Sequence, residues 1–269
     1  MFYDPVSLAL YSATAFAISE FAARVAVRYS PPYTGAVMQA IVHLVIFGFL
    51  AFSISPKPEI YNSGFWWFFS SGIFDPAIAV ICYFAAFSRI GVARSATVLG
   101  VSPLFSAGAA IIYLKEEPNI WIWLGTLAIV IGVVSLAYEK KGQVQKKSGY
   151  MFALAAAIGF AAAHTFRKMG LAYIPSSVTG MAISNIGAIL ALALMLPIMP
   201  RGSRLNFHRK GIFWYFVHTL GIALALFALT EALRLGTVSI VVPLVHTFPL
   251  LVISIAWIFL REKEKITKR

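Results

Sequence analysis

The chain of 269 residues is 60% hydrophobic and only 12% charged, and its formal net charge is +12. A soluble domain carries about 25% charged residues, so this composition excludes an ordinary water-soluble fold and indicates a polytopic membrane protein. The basic residues lie mainly in short connectors between apolar segments, as they do in cytoplasmic loops, so the charge predicts no nucleic-acid partner. Cys82 is the single cysteine, which excludes a disulfide framework and a cysteine metal cluster.

Apolar segments close to the length of about 20 residues that a spanning helix needs occur nine times along the chain. The first half holds five of them: Val6–Val27, Tyr33–Ser53, Gly64–Phe87, Gly91–Glu117 and Trp121–Tyr138. The second half holds four: Tyr150–Leu171, Val178–Ile198, Phe213–Leu233 and Gly236–Glu264. The sequence therefore predicts an all-α fold with a first repeat over residues 1–138, a basic linker over residues 139–149 and a second repeat over residues 150–269.

The fourth and ninth segments resemble each other and indicate an internal repeat. Pro103 and Glu116 of the fourth segment each stand 146 residues before Pro249 and Glu262 of the ninth. The other matches between the halves are FWWFF at residues 65–69 with FWYF at residues 213–216, and Arg89 with Arg234. Five helices per repeat is an odd number, so the second copy enters from the opposite side, as in transporters built from inverted repeats. Nothing after the ninth segment matches the fifth, so we expect a 5+4 arrangement that lacks a tenth helix.

These features resemble the EamA-like family of the drug/metabolite transporter superfamily, whose members are built from two five-helix repeats. The resemblance covers nearly the whole chain and rests on the matched prolines and glutamates, together with Gly125 and Gly132 of the fifth segment. It implies a multi-pass transporter of the inner or plasma membrane, without a cofactor, that moves a small metabolite such as an amino acid by alternating access. A flippase for a lipid-linked sugar, or an accessory subunit of one, is the alternative.

The distribution of basic residues makes a prediction about orientation that conflicts with the resemblance. The linker, the loop over residues 201–210 and the C-terminal tail are all basic and fall on one side of a nine-helix count. The positive-inside rule places that side in the cytoplasm and the N-terminus outside. Ten-helix relatives are expected to keep both termini in the cytoplasm, which places the linker outside, so the orientation stays open.

Charged residues within the apolar segments are candidates for binding or coupling, because each costs roughly 2.5–3.5 kcal/mol to insert. Glu20 and Arg24 lie four residues apart on one helix face, close enough to pair. His164 stands 144 residues after Glu20, and Arg167 and Lys168 follow it. Each cluster either locks helices together or faces a central cavity that binds substrate or protons. A third alternative applies to Arg167 and Lys168, whose long side chains can extend to the membrane interface.

The third and ninth segments each carry one further candidate. Asp75 precedes Pro76, and a proline inside a spanning helix frees a backbone carbonyl, which is tolerated only beside protein or a wet cavity. Asp75 is therefore the first choice for proton coupling, and a buried carboxyl that bonds to a neighbour is the alternative. His246 lies near two prolines and either binds substrate and relays protons or is a packed core residue.

The remaining polar residues are predicted to be structural. His43 and Asn185 are expected to make hydrogen bonds between helices, and His218 is a weaker site candidate. Gly125 and Gly132 favour close helix packing or a homodimer contact. The glutamates that end the fourth and ninth segments are interpreted as charge anchors at the membrane interface.

No motif indicates an enzyme or a metal site. The five histidines are scattered without ligand spacing, and the sequence contains neither H-E-x-x-H nor G-x-S-x-G. We therefore expect no bound metal and no catalytic residues. A channel is also unexpected, because no predicted helix carries a repeated polar stripe.

Overall fold

The structure is a computed structural model that describes residues 4–54, 62–136, 147–199, 201–248 and 250–251. These residues form eleven α-helices, one π-helical turn at Ile73–Ile78 and one 3₁₀ turn at Arg201–Ser203. The helices are α1 Pro5–Ala26, α2 Pro32–Ile54, α3 Ser63–Gly72, α4 Ala79–Ile90, α5 Val92–Leu99, α6 Ser102–Leu114, α7 Ile120–Leu136, α8 Lys147–Leu171, α9 Ser177–Met195, α10 Arg209–Leu235 and α11 Val238–Val245. Among the described residues, six helical segments are long and apolar enough to cross a membrane.

Two predicted helices of the first repeat are each divided in the structure. The predicted Gly64–Phe87 helix is interrupted at Asp75, whose backbone is extended with φ −138° and ψ 119°. Pro76 explains this break, because its nitrogen has no hydrogen to donate and its ring crowds the preceding turn. The predicted Gly91–Glu117 helix is divided into α5 and α6, and Pro103 stands in the first turn of α6, where a proline is tolerated.

Helix α8 begins at Lys147, before the predicted start of the second repeat at Tyr150. A Cβ at Gly149 would lie within van der Waals overlap of Ile90, so a glycine lets this first turn of α8 approach the end of α4. Several predictions lie outside the described residues: the linker over residues 139–146, Pro249, and the end of the ninth helix with Glu262.

The packing of the helices follows the inverted repeat. Helix α1 packs mainly against α10 and then against α11, while α8 packs against α3 and α4 and then against α5 and α6. The first helix of each repeat thus contacts the third and fourth helices of the other repeat. Helices α2 and α9, the second of each repeat, pack against each other. This reciprocal pattern confirms the two-repeat architecture, because a pseudo-two-fold axis exchanges each contact with its counterpart.

The alternating direction of the helices defines two ends of the molecule. We call one the Glu116 end, where α6, α8 and α10 finish and α1, α3 and α11 begin. We call the other the Arg24 end, where α1 and α4 finish and α5, α8 and α10 begin. Near the Glu116 end, Phe68, Leu229, Leu233, Val238 and Val242 are completely buried in one apolar core.

Candidate functional site

A cavity of about 60 Å³ lies between the two repeats, which is room for a few water molecules. Side chains from both repeats line it, on α1, α2, α4, α5, α8, α10 and α11 and at the break before α4. Its polar lining residues are Glu20, Gln39, Asp75, Tyr83, His164, His218 and His246. Four of the six residues predicted from the sequence, Glu20, Asp75, His164 and His246, therefore meet in one place.

Glu20 enters the cavity without a partner. Its side chain is buried, and its Oε2 atom has no hydrogen-bond partner in the described part of the chain. Of the two alternatives for Glu20 and Arg24, the ion pair is wrong, because no ion pair joins the two residues and Arg24 is exposed. Arg24 lies in the last turn of α1, where a long side chain reaches the surface. A ligand or a proton is thus left to satisfy the Glu20 carboxyl group.

Asp75, by contrast, has a strong partner from the other repeat. Arg167 donates a hydrogen bond from Nη2 to Asp75 Oδ2 at 2.7 Å, and both side chains are only 3% exposed. The alternative in which Arg167 extends to the interface is therefore wrong, because the helix break presents a buried carboxylate to Arg167. Within a low-dielectric interior such a pair is held together strongly, since removing either partner leaves an unpaired charge.

Two cavity histidines have a defined hydrogen-bond direction. Nδ1 of His218 lies 3.0 Å from the carbonyl oxygen of Ser19, and Nδ1 of His246 lies 2.9 Å from that of Val242. Because a carbonyl only accepts, each Nδ1 carries the hydrogen, and in the neutral ring Nε2 is left as an acceptor. The His164 ring lies 6.0 Å from the His246 ring, edge to face.

Aromatic rings form the rest of the cavity wall. The Phe16 and Phe248 ring centroids are 5.8 Å apart, and those of Tyr83 and Phe160 are 6.2 Å apart. Phe84 meets the His218 ring edge to face at 5.7 Å. The cavity therefore combines the Glu20 carboxyl group and several other acceptors with the Tyr83 hydroxyl, which has no partner among the described residues, and with aromatic faces that attract cations.

From the sequence, His218 is only a weaker site candidate, although the sequence contains a pattern that places it in the cavity. His218, Ile222 and Leu226 are spaced by four residues and all line the cavity, so one face of α10 points inward. Gln39 and Tyr83 also line the cavity and carried no sequence signal.

The residues predicted to be structural differ in outcome. Nε2 of His43 donates to the carbonyl of Thr219 at 2.9 Å, so the predicted bond between α2 and α10 is confirmed. The Asn185 amide instead donates to Met181 of its own helix, so the prediction of an interhelical bond is wrong. A Cβ at Gly125 or Gly132 would meet no described atom within 4 Å, so neither glycine packs closely against the described part of this chain.

Glu116 and Lys168 have defined structural contacts at the Glu116 end. The Glu116 carboxylate accepts hydrogen bonds from Val238 N at 2.8 Å, Ser239 N at 3.0 Å and Ser239 Oγ at 2.6 Å. Lys168 Nζ donates to the carbonyls of Leu233 and Gly236, at 2.7 Å each. The interpretation of Glu116 as an interfacial anchor is therefore wrong, because it caps the first turn of α11.

Comparisons with known proteins agree with this architecture. The family model described as the EamA-like transporter family matches residues 5–138 and 147–269. One protein of known crystal structure superposes with a TM-score of 0.72 at 16% sequence identity, covering 94% of this chain and 87% of that chain. At that identity the likeness shows the fold alone. No curated protein matches the chain significantly, and the described residues contain no group of side chains suited to a metal ion.

Proposed function

Since this chain belongs to the EamA-like transporter family and is a multi-pass membrane transporter, we propose that it exchanges protons for a small metabolite with an ammonium group. An amino acid or a related amine fits this description. The exchange takes place by alternating access across the inner or plasma membrane, and Glu20 is the group that binds either the proton or the substrate.

The observation that carries this proposal is the unpartnered Glu20 carboxyl group in the cavity. An ammonium group brings a positive charge and three hydrogen-bond donors, and the acceptors that line the cavity include Glu20 Oε2 and, in the neutral rings, Nε2 of His218 and His246. Charge-assisted bonds of this kind are about twice as strong as neutral ones. The surrounding aromatic faces add cation–π attraction.

Proton coupling follows from the competition for one carboxylate. Glu20 can hold a proton or an ammonium group but cannot hold both, so each one leaves as the other binds. The ion pair with Arg167 gives Asp75 a different task, that of joining the two repeats, which favours Glu20 over Asp75 as the coupling residue. The Glu20 carboxylate supports a metabolite with a positive charge over a lipid-linked sugar phosphate, because a carboxylate repels a phosphate anion.

The test is substrate accumulation in proteoliposomes. A mixture of amino acids, amines, nucleosides and sugars is offered with and without a pH gradient, and the trapped solutes are read by mass spectrometry. We expect one ammonium-bearing class to accumulate with the wild-type protein and the gradient to enhance it. We expect Glu20→Gln to remove the effect of the gradient.

The matched control is Glu231→Gln, which also neutralises a carboxylate but does so outside the cavity, where Glu231 pairs with Arg234 at 2.7 Å. This variant should accumulate substrate like the wild type. Accumulation in Glu20→Gln that still responds to the pH gradient contradicts the assignment of Glu20. Accumulation restricted to sugars or nucleosides contradicts the ammonium substrate.

A further inference from the structure

The turn between α10 and α11, taken with the adjoining helix ends as residues 233–239, is held from two sides at the Glu116 end. Lys168 binds it from α8, which belongs to the same repeat, and Glu116 binds it from the segment after α6, which belongs to the other repeat. Together the two side chains make five hydrogen bonds to this turn. Each bond has a charged partner, and such bonds are the stronger class in proteins.

These contacts lie next to side chains that are completely buried, so water does not reach the cavity from this end. Leu233 and Val238, at the two ends of the turn, are completely buried. Helix α11 then runs from the turn to Val245 and His246, which line the cavity. Helix α11 is only eight residues long, so a movement of the turn shifts the cavity wall directly.

At the opposite end, the described residues show no counterpart of the Lys168 contacts, and Glu262, the counterpart of Glu116, lies outside the described residues. The offset of 144 residues that relates Glu20 to His164 also relates Arg24 to Lys168, and an offset of 145 relates Gly91 to Gly236. Arg24 is therefore the counterpart of Lys168, and the turn between α4 and α5 at Gly91 is the counterpart of the turn between α10 and α11. Among the described residues Arg24 makes no ion pair, and both it and Gly91 are exposed.

We propose that Glu116 and Lys168 form a latch that keeps the Glu116 end closed, and that Arg24 closes the Arg24 end when the latch opens. The inference rests on the proposed alternating access, in which the cavity is open toward one end at a time. In the structure the latch is engaged and Arg24 is free. In the opposite state the Glu116 and Lys168 contacts break, and Arg24 binds the carbonyls at the end of α4.

The test measures access to the Glu116 end by cysteine labelling in nanodiscs. Cys82 is the only cysteine and is replaced by serine, and Ala232→Cys, on α10 at a completely buried position, is the reporter. Its rate of reaction with a polar maleimide reports how often this end opens. Loss of charge-assisted bonds changes such an equilibrium by about tenfold or more.

We expect Glu116→Gln and Lys168→Met each to raise the labelling rate about tenfold. The control Glu117→Gln removes the neighbouring, exposed carboxylate and should leave the rate unchanged. Arg24→Met should lower the rate, because Arg24 stabilises only the state in which the Glu116 end is open. Ser239→Ala removes one bond to Glu116 and should raise the labelling rate slightly. This milder variant still tests the latch if Glu116→Gln or Lys168→Met fails to fold.

Two results overturn the latch. One is an unchanged rate in Glu116→Gln, Lys168→Met and Ser239→Ala. The other is a raised rate in these variants with no decrease in Arg24→Met, because local loosening of the turn would not respond to a residue at the far end of α1. Labelling needs no substrate, so a failure of the latch is distinguishable from a failure of the proton exchange at Glu20.

Discussion

At the scale of single residues, Asp75 and Arg167 form the more deeply buried of the two ion pairs found among the described residues. Each side chain is 3% exposed, and the Nε and Nη1 atoms of Arg167 have no partner in the described part of the chain. The carboxylate of one repeat is therefore the main counter-charge for a guanidinium of the other. A pair of this kind joins the repeats only while both members are present.

We predict that Asp75→Asn and Arg167→Met each lower the free energy of unfolding by about 3–5 kcal/mol, because each leaves one buried charge unpaired. The measurement is unfolding by SDS in mixed micelles, followed by tryptophan fluorescence. The double variant Asp75→Asn/Arg167→Met should lose less than the sum of the two, because it buries no unpaired charge.

The control for this pair is Arg234→Met, which breaks the partly exposed bridge to Glu231. An exposed bridge contributes only about 0–1 kcal/mol, so this variant should unfold nearly like the wild type. Equal losses in Arg234→Met and Arg167→Met would show that burial does not determine the cost.

His218 provides a second prediction at this scale, which concerns binding. His218→Phe keeps an aromatic ring beside Phe84 but removes both the bond to Ser19 and the acceptor in the cavity. We expect the substrate concentration for half-maximal uptake to rise about tenfold, the equivalent of one lost hydrogen bond. His208→Phe is the control, because His208 is exposed and stacks on Tyr29 at 5.3 Å. An equal rise in both variants contradicts the assignment of His218 to the cavity.

At the scale of elements, α3 and α9 bring the backbones of the two repeats into close contact. A Cβ at Gly72 would overlap the carbonyl oxygen of Ser184, and a Cβ at Gly187 would overlap that of Phe69. The hydroxyls of Ser71 and Ser184 lie 2.7 Å apart in the same contact. Backbones approach this closely only where small residues stand on both helices, as in other membrane helix pairs.

We predict that Gly72→Ala destabilises the protein by about 1–3 kcal/mol or more, because the obstructing atom is backbone and cannot rotate away. Gly108→Ala is the matched control, since a Cβ there would meet no described atom within 4 Å. Alanine is favoured over glycine in a helix by up to about 1 kcal/mol, so this control should be neutral or slightly stabilising. Unfolding of both variants in mixed micelles gives the comparison, and equal effects would contradict the close contact.

The elements also show what the sequence can predict in this protein. Long apolar segments with prolines at matched positions predicted the spanning helices and the inverted pairing of the repeats. They also brought Glu20 and His164 together, because an inverted repeat places matched residues on opposite sides of one cavity. The pairing of Asp75 with Arg167 was not predictable, because the two residues are 92 positions apart and no local pattern relates them.

The contacts of Glu116 show the same limit of prediction from the sequence. A glutamate after an apolar segment has the local pattern of an interfacial anchor, and only the tertiary structure places it against the first turn of α11. The overlap of Gly72 with Ser184 likewise depends on the distance between two helices, which the hydrophobic pattern of neither helix encodes. Local periodicity thus predicts which face of a helix is buried, while the partner on that face is set by packing.

At the scale of the whole molecule, the two repeats enclose a cavity that contains the Glu20 carboxyl group. Glu116 and Lys168 hold the turn at one end of the molecule, while Arg24 at the other end is exposed. A homodimer through α7 remains a prediction, since Gly125 and Gly132 face no described part of the chain. Exchange needs no second copy, because residues from both repeats of a single chain already line the cavity.

The exchange of protons for substrate predicts the side of the membrane on which the substrate accumulates. If each ammonium substrate replaces one proton on Glu20, protons that leave an acidic vesicle drive the substrate inward. Substrate should therefore accumulate on the acidic side, and a difference of one pH unit should sustain about a tenfold gradient for a one-to-one electroneutral exchange. Lowering the pH on the side where substrate binds should weaken its apparent affinity, because protons compete for the same carboxylate.

The response to membrane potential then distinguishes the two substrate classes that share the ammonium group. A monovalent amine exchanged for one proton moves no net charge, so a potassium diffusion potential set with valinomycin should leave its accumulation unchanged. A zwitterionic amino acid exchanged for one proton moves one net charge per cycle, worth about 2.3 kcal/mol per 100 mV, so its accumulation should follow the potential. Glu20→Gln should abolish the pH response for either class, and accumulation on the alkaline side would contradict exchange altogether.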